Sequence, residues 1–186
     1  MLKKVAALLL MSSLYGQAQE EQAASVEKSV FGIQTGIVGL WVNHELKLAN
    51  QWALRTEIGG ELLSFSYNND ETYWAVAPVI SVEPKWYYNL DKRVRKGRNI
   101  KNNSGNSFSV KLNYNPDLFL IGNSNIPKPN QLAILPKWGI RRVYGAHFTF
   151  EVGLGIGPQF YLGNNPRWDS EINIYADAIV RIGYTF

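Results

Sequence analysis

Apolar and polar residues alternate with a period of two over most of the chain, most clearly at its C-terminal end. From Ile172 to Phe186, every residue at an even position is apolar or aromatic, whereas the intervening positions include Asn173, Asp177 and Arg181. Successive side chains of a β-strand point to opposite faces, so this pattern predicts a strand with one apolar and one polar face.

The same alternation recurs upstream and predicts eight strands in all. The segment 28–48 is long for one strand, and the glycines at Gly36 and Gly39 predict a tight turn that divides it. Pro78, Pro84 and Pro136 interrupt the pattern and are expected to mark bulges or strand ends, because proline cannot donate to a strand ladder. The predicted strands span residues 28–36, 39–48, 52–66, 73–89, 107–121, 131–143, 147–161 and 171–186.

The composition of the chain argues against a helical membrane protein but is compatible with a membrane β-barrel. Mean hydropathy is −0.18, aromatic residues make up 13% of the chain, and cysteine is absent. No apolar run is long enough for a transmembrane helix, but a membrane barrel needs none, because only alternate residues meet lipid. The absence of cysteine excludes disulfides, thiol chemistry and a lipid anchor on cysteine.

The first 18 residues have the layout of a secretory signal peptide. Lys3 and Lys4 precede a short apolar run, and Gly16 and Ala18 suit the small-residue positions of a cut before Gln19. We therefore predict a signal peptide at 1–18, a short N-terminal segment at 19–27 and a barrel domain at 28–186. The predicted location is the cell outer membrane.

An even strand count places both ends of the barrel domain on the periplasmic side. The predicted periplasmic turns are then 50–51, 90–106 and 144–146, and the external loops are 36–39, 67–72, 122–130 and 163–170. Six aromatic residues fall near the periplasmic interface and predict an aromatic girdle: Trp52, Trp86, Tyr88, Phe148, Tyr184 and Phe186.

The alternation, the short turns and the ending R-I-G-Y-T-F (Arg181 to Phe186) resemble the small outer-membrane barrels of the OmpA/OmpX type. The segments N-L-D-K-R (89–93) and K-G-R-N-I-K-N-N-S-G-N (96–106) are similar to barrels of Bacteroidetes-type bacteria. The resemblance implies an all-β, eight-stranded, antiparallel up-and-down transmembrane barrel. It also implies that the barrel assembly machinery recognises Phe186, with Tyr184 two residues before it. A match of pattern says more about fold than about function.

The inward positions of the predicted strands carry charges of both signs. An eight-stranded barrel is just wide enough for side chains to fill, and charges sealed inside must pair, because an isolated buried ion costs several kcal/mol. We expect a plugged lumen; a polar pore and a proton-active carboxylate pair are the alternatives. Lys137 is also at an inward position, and the predicted charge network comprises Glu45, Lys47, Arg55, Glu57, Glu83, Lys85, Lys111, Arg141, Glu151, Asp177 and Arg181.

Residues 91–101 form a basic turn with six cations and one acid. Aromatic residues are not interleaved with the cations, and export also argues against a nucleic-acid partner. A basic turn beside a bilayer can bind anionic headgroups, and the alternative is a solvated turn with no partner. The cations are Lys92, Arg93, Arg95, Lys96, Arg98 and Lys101.

No catalytic, cofactor or metal site is predicted. The two histidines, His44 and His147, have no serine or acid at a spacing typical of a catalytic triad. Asp70 and Glu71 are too few for a metal site. The glycines of 153–157 follow strand alternation and precede no helix, which excludes a dinucleotide-binding loop.

The sequence therefore favours a structural or interaction role in the cell envelope, with outer-membrane lipids and the assembly machinery as partners. We expect no enzymatic activity. The alternatives are a narrow porin-like pore or small-molecule transport barrel, a lipid-modifying enzyme, and a soluble lipocalin-like barrel with its apolar face inward.

Overall fold

The protein folds into a closed antiparallel β-barrel. The computed structural model describes residues 24–67, 71–118, 121–122, 130–162 and 172–186. The strands are β1 (Ser29–Gly36), β2 (Gly39–Ala49), β3 (Trp52–Tyr67), β4 (Glu71–Trp86), β5 (Asn106–Asn115), β6 (Ile121–Gly122), β7 (Asn130–Tyr144), β8 (Phe148–Leu162) and β9 (Asn173–Thr185). The eight long strands pair in chain order, β9 pairs back with β1, and the two-residue β6 pairs with β4. The predicted all-β, eight-stranded antiparallel barrel is confirmed.

The predicted division of residues 28–48 into two strands is confirmed. β1 and β2 pair in register from Ser29 opposite Leu46 to Gly36 opposite Gly39, with a two-residue turn between them. Turns also occur at 50–51 and 145–147, and Gly145 supplies a positive φ of 61° in the second. The predicted signal peptide and most of the predicted loops at 67–72, 122–130 and 163–170 lie outside the described residues.

Two predicted strand boundaries are wrong. β5 ends at Asn115 rather than 121, because Pro116 follows and cannot donate to the ladder. β4 ends at Trp86 rather than 89, because the chain turns at residues 88–89 into a helix that begins at Leu90. Tyr87 keeps the inward phase of the strand: its side chain is fully buried, and its backbone N–H donates to the carbonyl of Gln51 at 2.8 Å.

The three prolines lie inside strands rather than at bulges or strand ends. Pro84 is opposite Leu54, Pro78 is opposite Gly60 and Pro136 is opposite Val110, all in continuous register. Because proline has no N–H, the ladder has a local gap beside it, but the register on either side is unchanged. Between β4 and β5, for example, the paired residues pass from Val82–Leu112 directly to Lys85–Ser109.

The barrel carries charged side chains inside, together with buried apolar ones such as Val79 and Leu135, and large apolar side chains outside. Residues at odd positions face the lumen in seven of the long strands; β1 instead turns its even positions inward, because the two-residue turn reverses the parity. The lipocalin-like arrangement, with the apolar face inward and the charges toward water, is therefore not found. The outward apolar residues include Ile33, Leu40, Leu46, Ile58, Ile80, Leu112, Leu154, Ile156, Val180 and Ile182, all exposed.

Aromatic rings form a belt around one end of the barrel, and this belt is the aromatic girdle. The Trp52 and Trp86 rings stack with centroids 6.3 Å apart, and Tyr88 continues the row to Phe108 at 5.2 Å. Where β9 pairs with β1, the centroid of the Phe186 ring lies 5.1 Å from that of Tyr184 and 5.6 Å from that of Phe31. Its members are Phe31, Trp52, Trp86, Tyr88, Phe108, Trp138, Tyr144, Phe148, Tyr184 and Phe186.

The segment predicted as a basic turn is instead part of a folded cap, defined here as residues 24–28 and 87–105. It contains the helix α1 (Leu90–Arg95) and a 3-10 helix at Lys101–Asn103. Asn102 and Asn103 have positive φ, a conformation that asparagine tolerates. No helix in the described ranges is long and apolar enough to cross a membrane.

An apolar cluster attaches the cap to the girdle end of the barrel. Ala24, Val26, Tyr87 and Leu90 are buried together against Ala53 of β3. The backbone of the cap is bound as well, since the N–H of Val26 donates to Asn50 O at 2.8 Å and the N–H of Glu27 donates to Asn103 Oδ1 at 2.8 Å. The girdle end of the lumen is therefore closed by side chains.

Glycine at position 59 is required by close packing inside the barrel. A Cβ built at Gly59 overlaps the ring of Trp41, whereas a Cβ at Gly139, also inward-facing, would lie 3.4 Å from its nearest neighbour, the carbonyl oxygen of Val152. We predict that Gly59→Ala lowers the free energy of unfolding by about 1–3 kcal/mol through overpacking. Gly139→Ala is the matched control and should change it by less than about 1 kcal/mol. Reversible urea unfolding in detergent micelles, followed by tryptophan fluorescence, measures both; equal effects would contradict the packing argument.

Candidate functional site

Two carboxylates form the centre of a charge network in the lumen. Glu151 of β8 accepts from Arg55 of β3 at 2.8 Å and from Lys85 of β4 at 3.0 Å. Glu45 of β2 lies 3.2–3.5 Å from Arg55, Lys85 and Arg141. All five side chains are nearly inaccessible to water, so these pairs are charge-assisted contacts across a dry interior.

The second oxygen of Glu45 binds the cap. Tyr87 Oη donates to Glu45 Oε2 at 2.9 Å, and Asn103 Nδ2 donates to the same oxygen at 2.7 Å. Gln34 of β1 also enters the network, since its amide donates to Glu151 at 3.0 Å and its oxygen accepts from Arg55 at 2.5 Å. Gln34, Tyr87 and Asn103 are neutral, and sequence reasoning that searched for charges missed them.

A second branch extends away from the cap. Glu57 Oε2 accepts from Arg55 at 2.8 Å and from Arg181 of β9 at 2.7 Å. The guanidinium of Arg181 also lies over the ring of Trp41, with its Cζ atom 3.7 Å from the ring centroid. The carboxylate and the aromatic face both attract the cation, and this attraction is strengthened in a water-poor site.

The remaining inward charges lie on β3, β4, β5, β7 and β9. Asp177 Oδ2 accepts from Lys137 at 2.8 Å and lies 3.5 Å from Lys111, and Ser109 donates to Glu83 at 2.6 Å. Glu61, which sequence analysis missed, faces inward near Asp177 and Arg181 at a cavity of about 150 Å³. Among the side chains that the structure describes, the buried and half-buried inward ones comprise six carboxylates (Glu45, Glu57, Glu61, Glu83, Glu151 and Asp177) and six cations (Arg55, Lys85, Lys111, Lys137, Arg141 and Arg181).

Lys47 does not belong to the charge network in the lumen, contrary to the prediction. It has the inward phase of β2, but it lies at the strand end, where a bulge between Lys47 and Ala49 shifts the register with β3. Its side chain is exposed, and Nζ donates to Ser25 Oγ at 2.7 Å in the cap. Alternation predicts the face of a residue, whereas burial also depends on where the barrel ends.

Four of the six predicted basic residues line one cavity of about 440 Å³ beside α1. Lys92, Arg93, Lys96 and Arg98 lie around it, whereas Arg95 and Lys101 are outside it. The fifth cation is Arg142 of β7, which sequence analysis missed. A charged residue at an outward position of a strand is unusual in this chain, and that feature could have drawn attention to it. We call this cavity, with its five cations, the cationic cavity.

The histidines lie on the outside of the barrel. His44 Nε2 is 2.8 Å from Ser29 Oγ, across the β1–β2 pair, a contact that spacing along the sequence did not predict. Within the described part of the chain no group binds Nδ1 of His44, and the acid that completes a triad is missing there. His147 Nδ1 lies 2.7 Å from the carbonyl oxygen of Thr185, and its ring stacks on Tyr184.

Metal ligation is not supported by the described residues. They contain no group of three or more histidine, cysteine or carboxylate side chains placed to hold a metal ion. The inward carboxylates are instead surrounded by cations, which repel a metal ion.

Removal of the charge of Glu151 tests the energetics of the network. We predict that Glu151→Gln lowers the free energy of unfolding by about 3–5 kcal/mol, because Arg55, Lys85 and Arg141 stay buried with one carboxylate fewer. Lys47→Gln is the control and should cost less than about 1 kcal/mol, since Lys47 is exposed. Urea unfolding in detergent micelles measures both. If Glu151→Gln lowers the free energy of unfolding as little as the control does, the buried cations do not depend on Glu151 for their stability.

No protein-family model, curated protein or solved structure matches this chain, so its function is inferred from the fold and the residues described above.

Proposed function

We propose that the protein is an integral outer-membrane β-barrel with a structural or interaction role in the cell envelope. The observation that carries the proposal is the distribution of side chains: large apolar side chains cover the outward face of the strands, and most charged side chains of the described strands lie in the lumen. Soluble monomers rarely expose apolar patches larger than a few hundred Å². A bilayer removes this cost, because lipid chains contact the apolar surface.

The dimensions of the barrel support the same proposal. Seven of the eight long strands have ten or more residues, and a tilted strand of about 9–11 residues spans the hydrocarbon core. The aromatic girdle surrounds one end, as rings do at a membrane–water interface. The closed ladder leaves no unpaired edge strand for lipid to meet.

The finer assignments belong to the same proposal. The chain resembles barrels of the OmpA/OmpX type in pattern, with export by the signal peptide at 1–18 and outer-membrane lipids as partners. Tyr184 and Phe186 are outward-facing and exposed, where the barrel assembly machinery can reach them before β9 closes on β1. An enzymatic role is not proposed, because the Ser29–His44 pair lacks an orienting acid in the described part of the chain.

A structural rather than porin-like role follows from the contents of the lumen. The charge network joins side chains from opposite walls, and the cap closes the girdle end. We predict that the purified protein gives no single-channel steps in a planar bilayer. Regular conductance steps that disappear in a variant of a lumen charge would support the pore instead.

Cell fractionation tests the location directly. We expect the full chain, expressed with its N-terminal segment, to sediment with outer membranes and to migrate differently on a gel with and without boiling. A closed ladder resists detergent until heated, which gives the shift. Recovery in the soluble periplasmic fraction with no heat-dependent shift would contradict the proposal.

A single substitution at an outward position tests whether the outer surface of the barrel faces lipid or water. Leu154 is 64% exposed and lies six residues from the girdle residue Phe148 on β8, or roughly 15 Å along the barrel axis, close to the middle of a bilayer about 30 Å thick. Leu154→Arg should lower the free energy of unfolding from phospholipid bilayers by about 2–4 kcal/mol. Val94→Arg, at an exposed position of α1, should change it by less than about 0.5 kcal/mol. If Leu154→Arg is equally neutral, position 154 does not face lipid.

A further inference from the structure

The cationic cavity concentrates positive charge at one place on the barrel end. Its five cations are Lys92, Arg93, Lys96, Arg98 and Arg142, and no acidic residue lines it. The only acid in the sequence between residues 87 and 107 is Asp91, whose carboxylate accepts from Gln51 at 2.7 Å and does not line the cavity. In the described part of the chain, none of the five cations forms an ion pair with a carboxylate.

Two of the cations are held rigidly. Arg93 is buried, and its Nε and Nη2 donate to the carbonyl of Asn99 at 3.1 and 2.6 Å. Arg142 donates from Nη1 to the carbonyl of Gly105 at 2.9 Å and from Nη2 to Asn106 Oδ1 at 2.7 Å. All of these acceptors are neutral, so the bonds orient the two guanidinium groups without neutralising them.

This arrangement is unfavourable without an anion. Burial, and then the neighbouring Arg98, lower the pKa of the Arg93 guanidinium. Like charges held close together at a partly dry site repel one another, and the charge-balanced lumen shows that this chain pairs its buried ions elsewhere. A bound anion would remove the repulsion, and the N–H groups not used in these bonds, on Arg93 Nη1 and Arg142 Nη2, can donate to phosphate oxygens.

The position of the cavity identifies the source of the anion. Tyr88 lines it, and its Oη accepts from Trp138 Nε1 at 3.0 Å and from Asn106 Nδ2 at 3.2 Å. Tyr88 and Trp138 belong to the aromatic girdle, and girdle residues lie at the level of lipid headgroups. The cavity therefore opens at the depth of lipid phosphates, beside the apolar outward face that acyl chains would cover.

We propose that the cationic cavity binds the phosphate of an anionic phospholipid headgroup. This inference rests on the proposed membrane location of the barrel. Arg93 and Arg142 supply oriented donors at fixed positions, whereas the flexible Lys92 and Lys96 supply charge around the phosphate. A zwitterionic headgroup fits less well, because its own ammonium group would face the same cations.

Calorimetric titration of the full chain, folded in a non-ionic maltoside detergent, tests the proposal. The probes are dihexanoyl-phosphatidylglycerol, its zwitterionic phosphatidylcholine counterpart and inorganic phosphate. We expect phosphatidylglycerol to bind at least about tenfold more tightly than the other two, because only it combines a net anionic headgroup with acyl chains. Equal affinity for inorganic phosphate would overturn the lipid assignment, and the absence of phosphatidylglycerol binding would overturn the site.

Two charge-matched variants show whether the cavity itself is responsible. The triple variant Lys92→Gln, Lys96→Gln, Arg98→Gln should weaken phosphatidylglycerol binding by about a hundredfold, because each basic side chain near an anionic lipid contributes about fivefold. The triple variant Lys47→Gln, Arg95→Gln, Lys101→Gln removes the same charge from exposed positions outside the cavity and should weaken it less than about threefold. Equal losses in both would overturn the proposal in favour of diffuse attraction.

The gel shift between boiled and unboiled samples confirms that each variant is folded before titration. Binding in detergent does not depend on where the protein resides in the cell. A soluble protein that binds phosphatidylglycerol would contradict the proposed function alone, and an outer-membrane barrel that does not bind it would contradict the cavity proposal alone.

Discussion

An eight-stranded barrel encloses room for side chains and little else, and this chain fills that room largely with ions that must neutralise one another. Glu151 of β8 meets Arg55 of β3 across the lumen, and Arg181 of β9 meets Glu57 of β3. Such contacts connect strands that are not neighbours in the ladder. A slip of one residue in any strand would place its charges on the apolar outer face, so the network and the register specify each other.

The cap depends on the same network. Tyr87 and Asn103 use polar atoms to bind Glu45, while Tyr87 and Leu90 pack their apolar parts against Ala53. The principal apolar cluster thus lies at the barrel end rather than at its centre. Because Glu45 is shared, loss of the cap would leave one oxygen of a buried carboxylate without its two donors, which couples the stability of the cap to that of the lumen.

Alternation made the barrel predictable, because a period of two fixes both the element type and the face of each residue. It could not place Lys47, whose exposure depends on where the barrel ends, nor Ser29 beside His44, which requires the register of the β1–β2 pair. The cap was missed because its short helices are held by tertiary contacts such as Glu27 to Asn103 rather than by any period in the sequence. Arg142 was visible as a charge on the outward face, and only the fold shows that it joins Arg93 at one cavity.

The balance of charge inside the barrel also limits where the protein can select a partner by charge. In the described part of the lumen, six inward carboxylates and six inward cations balance formally. The outward face is apolar and in the proposed bilayer discriminates little between lipids. Uncompensated charge is concentrated instead on the cap, where Lys92, Lys96 and Arg98 face solvent beside two guanidinium groups held by neutral acceptors. Where the inward charges of a barrel balance one another, a charge-selective contact falls on the cap, whose cations in the cationic cavity have no carboxylate partner among the described residues.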